Sequence, residues 1–216
     1  MKKHIFVGTP CYDDNVTLPY HNSYIQMQDE AHHKQWKLSS VAAKGFTSQA
    51  RNLHAALALR DKSITHFLTI DADMGWPKGL LSRFIAADKD IVGATYPMRQ
   101  LSEKPIFIGA IKEGADVTNG FCRAKYVGCG FMLVKREALE KIAAKLPVVI
   151  DECYPNIEIR DFFPSGVQHG RTITDDVGFC AHAMAAGCEV WADIVTELTH
   201  TGSVTFKRGA LGDYVL

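Results

Sequence analysis

A chain of 216 residues, 47% apolar and 22% charged, is long enough for one compact domain with a sizeable core and is ordinarily globular in composition. Its 24 basic and 24 acidic side chains cancel. That removes the long-range field that would recruit nucleic acid or an anionic membrane and leaves only local patches. No apolar run approaches the ~20 residues of a membrane span. The opening MKKHIFVGTPC has too few apolar residues before Pro10 for the roughly 7–15-residue core of a signal peptide. Six cysteines without a CxxC or paired spacing read as reduced, mostly buried thiols. The expectation is a cytoplasmic protein with no membrane span.

Taken in order, the chain alternates short strands and amphipathic helices. A strand over 4–8 ends at Thr9-Pro10, and a helix covers 20–33. A strand over 37–42 precedes a helix over 48–60. In that helix Ala50, Leu53 and Leu57 share one face and Ser48 is the candidate N-cap. A strand over 66–70 follows, and Pro77 opens the next helix, a position where proline is tolerated. Strands are expected over 90–96, over 105–112 paired with 123–127, and over 131–134. A helix covers 137–145. Residues 148–171 read as one long irregular segment, uncommon in a compact domain unless it has a task. A helix over 174–186, a last strand over 189–194 and a glycine-bearing tail complete the chain. The early β-α-β-α-β rhythm predicts an α/β fold with a largely parallel sheet and mixed later strands. Ligands of such sheets bind beyond the carboxyl ends of the strands.

Five stretches carry chemistry. In FLTIDADMGWP, residues 67–77, an apolar strand runs into Asp71 and Asp73. Asp71 alone would serve a turn. Two carboxylates about 6 Å apart repel by roughly 3 kcal/mol at an effective dielectric near 20. A hard divalent cation reverses the sign of that term; the bland alternative is a turn with a local Asx bond. In SQARNLHAALAL, residues 48–59, Arg51 opposes the dipole of the helix it opens. Its guanidinium suits a phosphate or a stacked base, or simply solvent. In YVGCGFMLV, Gly128 and Gly130 mark a close backbone approach or a strand corner. In RTITDDVGFC, Asp175 and Asp176 open a helix behind Thr174, directly after the long irregular segment. They either complement the helix dipole or present a general base. In TELTHTGS, His200 is a satisfied polar residue unless the aspartates bind metal, in which case imidazole completes a mixed site.

In this order ARN (50–52), FLTIDADM, VGATYPMR (92–99), VGCGFMLVKRE, TDDVGFCAHAMAAG and LTHTG resemble a GT-A-fold glycosyltransferase, similar to family-2-type and related small bacterial or viral transferases. The likeness covers roughly two-thirds of the chain. It implies a single GT-A domain, with a Rossmann-like nucleotide-sugar-binding half over about 1–99 on a mixed sheet and an acceptor half over 100–216. It implies a nucleoside-diphosphate sugar donor, UDP-sugar favoured, and a hydroxyl acceptor. That acceptor is a saccharide, a lipid-linked sugar, a protein or a modified DNA base. Asp73 would ligate Mn2+ or Mg2+ on the diphosphate, Asp71 would contact ribose or metal, and His200 would be a further ligand. Thr9, Pro10, Arg51 and Asn52 would line the nucleoside pocket. Asp176, with Asp175 beside it, would be the catalytic base. Here the first acid of the family's Glu-Asp pair is Asp, one methylene shorter, which leaves the choice between the two open. The Gln-x-x-Arg-Trp element of processive synthases is absent.

Two rivals remain. A nucleotidyltransferase would carry a Gly-rich basic loop after the first strand, where this chain has TPCYDDN. A non-catalytic nucleotide- or sugar-binding module would need no base. A basic rim of Arg160, Arg171, Lys207 and Arg208 is the one candidate contact for a DNA acceptor.

Overall fold

The computed structural model describes residues 2–99, 106–168, 170–202 and 205–207. The first half runs β1 (His4–Pro10), α1 (Leu18–His33), β2 (Lys37–Ala43), α2 (Thr47–Arg60), β3 (His66–Ile70), β4 (Met74–Gly75), α3 (Leu80–Ala87), β5 (Ile91–Ala94) and β6 (Tyr96–Pro97). There follow β7 (Phe107–Ile111), β8 (Phe121–Val127), β9 (Phe131–Lys135) and α4 (Arg136–Ala143). The remainder is β10 (Val148–Val149), β11 (Ile159–Arg160), β12 (Gly166–Gln168), β13 (Arg171–Ile173), α5 (Asp175–Ala185), β14 (Val190–Asp193), β15 (Thr199–Thr201) and β16 (Thr205–Lys207).

Among the described residues nine strands form one mixed sheet, ordered β2-β1-β3-β9-β5-β14-β8-β7-β6. β1 is parallel to β2 and β3, and β5 is parallel to β14. β9 lies antiparallel between β3 and β5. The α/β expectation with a mixed sheet therefore holds, but the sheet is not largely parallel: β9 is antiparallel to both its neighbours, and the β14-β8-β7-β6 run is antiparallel throughout.

The central strands are apolar without alternation because both faces are covered. Phe6 of β1, Phe67 of β3 and Val134 of β9 enter the layer with α2, α4 and α5. Ile5 and Val7, Leu68 and Ile70, and Leu133 enter the opposite layer with α1 and α3. Adjacent residues pointing to opposite faces is the period-2 rule of a strand.

Several element ends differ from expectation. α2 begins at Thr47, with Phe46 at its N-cap and no side-chain cap bond, so Ser48 lies inside the helix. α3 begins at Leu80, not at Pro77. Gly79 precedes it at φ 91°, a left-handed turn that proline, fixed near −65°, cannot make. Thr174 does occupy the N-cap of α5, but its hydroxyl donates to Asp176 instead of capping a helix N–H.

The segment over 148–171 is not wholly irregular. β10 pairs with β11, and β12 pairs with β13, both antiparallel. Phe162 and Phe163 anchor it, both 0% exposed, with Phe163 stacked on Phe179 at 4.5 Å. Asn52 clamps the same turn, donating to Asp161 at 3.0 Å and accepting from the Phe163 N–H at 2.9 Å. The tail contributes β15, which pairs with both β4 and β16.

All six cysteines are free, and only Cys153 is exposed. No helix among the described residues is long and apolar enough to cross a membrane.

α2 also buries His54 completely, with neither ring nitrogen hydrogen-bonded, against the bare backbone of Gly8. A Cβ at Gly8 would lie 2.6 Å from that ring. Burial, reinforced by the nearby Arg51 charge, lowers the His54 pKa to about 4 from 6.5. Burial likewise lowers His66 to about 4. The unfolded chain takes up these protons below its ordinary pKa while the folded chain resists, so stability is full above pH 6.5 and is lost as pH falls toward 4. For His54 this amounts to at most about 3 kcal/mol. Urea unfolding of wild type should show this loss, and His54→Leu should flatten the slope; parallel pH profiles for the two proteins would refute it.

Candidate active site

The site is built where β1 and β3 end. β3 runs into a turn in which the Met74 N–H donates to the Asp71 carbonyl at 3.1 Å. The Asp71 N–H donates to the Gly130 carbonyl at 3.2 Å, tying this turn to the corner before β9. A turn explains Asp71; Asp73 takes its meaning from β15. Pairing of β15 with β4 sets His200 opposite Met74, and the Thr201 N–H donates to the Asp73 carbonyl at 2.8 Å. The His200 Nε2 consequently stands 3.4 Å from Asp73 Oδ2. The Arg99 Nη1 lies 2.9 Å from the same oxygen.

The orientation of His200 is fixed from behind. Its Nδ1 is 2.9 Å from the Pro97 carbonyl, which only accepts, so Nδ1 carries a hydrogen and the ring is held with Nε2 facing Asp73. The Tyr96 ring stands edge-on to His200 at 5.4 Å. Tyr96 in turn explains the Gly-Cys-Gly corner. Its hydroxyl accepts from the Gly130 N–H at 2.9 Å, and a Cβ on Gly128 would lie 2.5 Å from that oxygen, one on Gly130 2.5 Å from the ring carbon that bears it.

In front of these groups lies a cavity of about 550 Å3, whose wall includes Pro10, Tyr12, Asp71, Asp73, Arg99 and His200. A second cavity of about 460 Å3 lies away from this chemistry, between α2, α4 and the 156–162 segment.

Arg51 stands one layer back. It is 3% exposed, and its guanidinium donates to Asp71 through Nη2 and to Asp175 through Nη1. One side chain thus joins the carboxyl end of β3 to the start of α5. Burial pushes the Asp71 carboxyl above its usual range, with Arg51 opposing and Asp73 adding to the shift. Asp175 Oδ1 accepts from the Asp176 N–H at 3.1 Å. Asp176 Oδ1 accepts from the Val177 N–H at 2.8 Å and from the Thr174 hydroxyl.

Sequence-predicted residues therefore divide. Asp71, Asp73, His200 and Pro10 line the cavity, and Asp175 reaches Asp71 through Arg51. Thr9, Arg51, Asn52, Asp175 and Asp176 do not line it. Thr9 is buried on the Tyr20 hydroxyl at 2.6 Å, Arg51 is spent on two carboxylates, and Asn52 holds the 161–163 turn. Of the expected basic rim, Arg160 is bound to Glu158 and the Leu146 carbonyl, and the Lys207 side chain and Arg208 lie outside the described residues. Among the described residues no group of three or more His, Cys, Asp or Glu side chains is arranged as a metal centre. Asp73 and His200 form a pair, with Asp71 turned onto Arg51.

Tyr12, Tyr96 and Arg99 were not singled out by sequence. Tyr12 lies two residues past β1 and is 75% exposed at the cavity mouth, an uncovered ring with no packing role to explain it. For Tyr96 the glycine spacing was the available signal.

No protein-family model matches the chain, and no curated protein matches it in sequence. Solved structures do resemble it. The A197 protein from STIV aligns over 94% of this chain and 86% of its own, with a TM-score of 0.59 and 17% identity. A Drosophila beta-1,4-galactosyltransferase 7 mutant, in complex with manganese, UDP-Gal and xylobiose, aligns over 89% of this chain with a TM-score of 0.50 and 11% identity. This chain spans 65% of that galactosyltransferase. A UDP-glucose pyrophosphorylase complexed with UDP-glucose gives a TM-score of 0.49 at 11% identity, over 92% of this chain and 93% of its own. At such identities the likeness speaks to architecture, and the architecture is the GT-A-type fold of glycosyltransferases.

Proposed function

We propose that this chain is a metal-dependent glycosyltransferase, moving a sugar from a nucleoside-diphosphate sugar, UDP-sugar favoured, to an acceptor hydroxyl. The observation that carries the reading is the convergence of Asp73 Oδ2 and His200 Nε2 on one cavity wall, with His200 Nδ1 committed behind it to Pro97. A fixed ring nitrogen beside a carboxylate oxygen is a donor set that suits Mn2+ or Mg2+, with the Pro97 carbonyl behind the ring holding its orientation. Asp73 and His200 would hold the cation, leaving room in its shell for oxygen ligands of the donor. When bound, the cation supplies Lewis-acid stabilisation of the charge that collects on the departing diphosphate.

The chain's own groups supply the remainder. Tyr12 offers an exposed face for the nucleobase at the cavity mouth. Arg51 holds Asp71 and Asp175 in register without touching the donor. Asp176 Oδ2 accepts the acceptor hydroxyl proton, and direct displacement with inversion at the sugar carbon follows from that role. Asp175, held by Arg51 through Oδ2 and by the Asp176 N–H through Oδ1, serves as the positioning carboxylate. The unpaired thiols support a reducing compartment, the cytoplasm. The acceptor belongs to one of four classes: saccharide, lipid-linked sugar, protein or modified DNA base.

A thermal-shift panel of nucleoside diphosphates and their sugars, with and without Mn2+, tests this reading. Stabilisation by one nucleotide only when Mn2+ is present is the expected result. Flat curves across the panel on folded protein would overturn it.

A further inference from the structure

We propose that Arg99 competes with the divalent cation for Asp73 Oδ2 and, once displaced, takes the donor diphosphate. The inference rests on the reading of Asp73 and His200 as metal ligands.

Two arginines contact the aspartate pair, and they are built differently. The Arg51 side chain is 4% exposed and bridges two carboxylates, so it is fixed. The Arg99 side chain is 51% exposed, and among the described residues its ion pair is to Asp73 at 2.9 Å. It follows β6 at the cavity wall, where it can pivot without disturbing the core. Its target is the same oxygen that faces His200 Nε2 at 3.4 Å. That oxygen cannot serve a divalent ion at ~2.1 Å and keep a guanidinium in ion-pair contact without strong repulsion between the two cations. The guanidinium must therefore leave as the metal arrives. It is already on the wall of the cavity that the donor would fill. A planar fork of N–H donors fits the paired oxygens of a diphosphate. In this role Arg99 neutralises Asp73 until metal and donor arrive together. It also disfavours metal without donor, which is a coupling of two ligands through one side chain.

The two halves of the exchange predict opposite signs for one substitution. In calorimetry, Arg99→Gln should bind Mn2+ alone about 5- to 10-fold more tightly than wild type, since the competitor is gone. The same variant should bind UDP, GDP and dTDP, each in saturating Mn2+, about 10-fold more weakly. Lys44→Gln is the control. Lys44 pairs with Asp14 at 2.8 Å near the cavity mouth but not with Asp73, so it reports the loss of one nearby positive charge. Tighter Mn2+ binding by Arg99→Gln well beyond the Lys44→Gln value, together with weaker nucleotide binding, supports the exchange. A Mn2+ affinity no greater than that of Lys44→Gln, or unchanged nucleotide affinity, overturns it while the metal-dependent reading stands. Absence of Mn2+ binding by all three proteins, with and without nucleotide, overturns both.

Discussion

Asp176→Asn is expected to lower sugar transfer by about 10²- to 10⁴-fold, the usual contribution of a positioned general base. Donor binding in the presence of Mn2+ should survive. The amide keeps the shape of the side chain, and its oxygen still accepts from the Val177 N–H and the Thr174 hydroxyl, so the start of α5 is preserved. What is lost is the basic Oδ2. Single-turnover rates and nucleotide titrations on the same preparations separate the two effects. Equal turnover by wild type and variant would remove the base assignment. An equal loss at Asp175→Asn with intact stability would move that role one residue back.

The second large effect is on folding. Arg51→Met should cost about 3–5 kcal/mol of stability, because removing one member of a buried ionic group strands the others. Asp71 and Asp175 would then face each other in a partly buried setting with no cation between them. Arg51→Lys should lie in between, since one ammonium cannot offer two separate nitrogens to two carboxylates. Adding Asp175→Asn to Arg51→Met should recover part of the loss, and that rescue distinguishes stranded charge from lost packing. Urea midpoints for the four proteins are the measurement. A Met variant as stable as wild type would show that the bridge carries no net energy.

The two residues also show what sequence can and cannot convey. β1, β3 and α2 were legible because burial leaves a local trace: apolar runs where both sheet faces are covered, and an apolar face at helical spacing. The aspartate pair was legible because repulsion between neighbours in sequence needs an explanation. The commitment of Arg51 was not, because its partner Asp175 lies 124 residues away and nothing near Arg51 announces it. β4 and β15 were missed for a related reason. Strands of two and three residues have no periodicity, and their pairing alone brings His200 to Asp73. Pro77 and Ser48 misled because each is a sound local start signal that the path of the chain overrode.

The place of β9 bears on how the molecule assembles. The strand between β3 and β5 comes from residues 131–135, after both of its neighbours have been synthesised. Until it inserts, each neighbour presents a raw edge of unpaired backbone groups, the kind of surface on which chains stick to one another. Contacts this distant along the chain close late and slow folding. A polypeptide halted near residue 99 would hold the carboxylate turn yet lack the strand that joins its sheet, and should associate with itself.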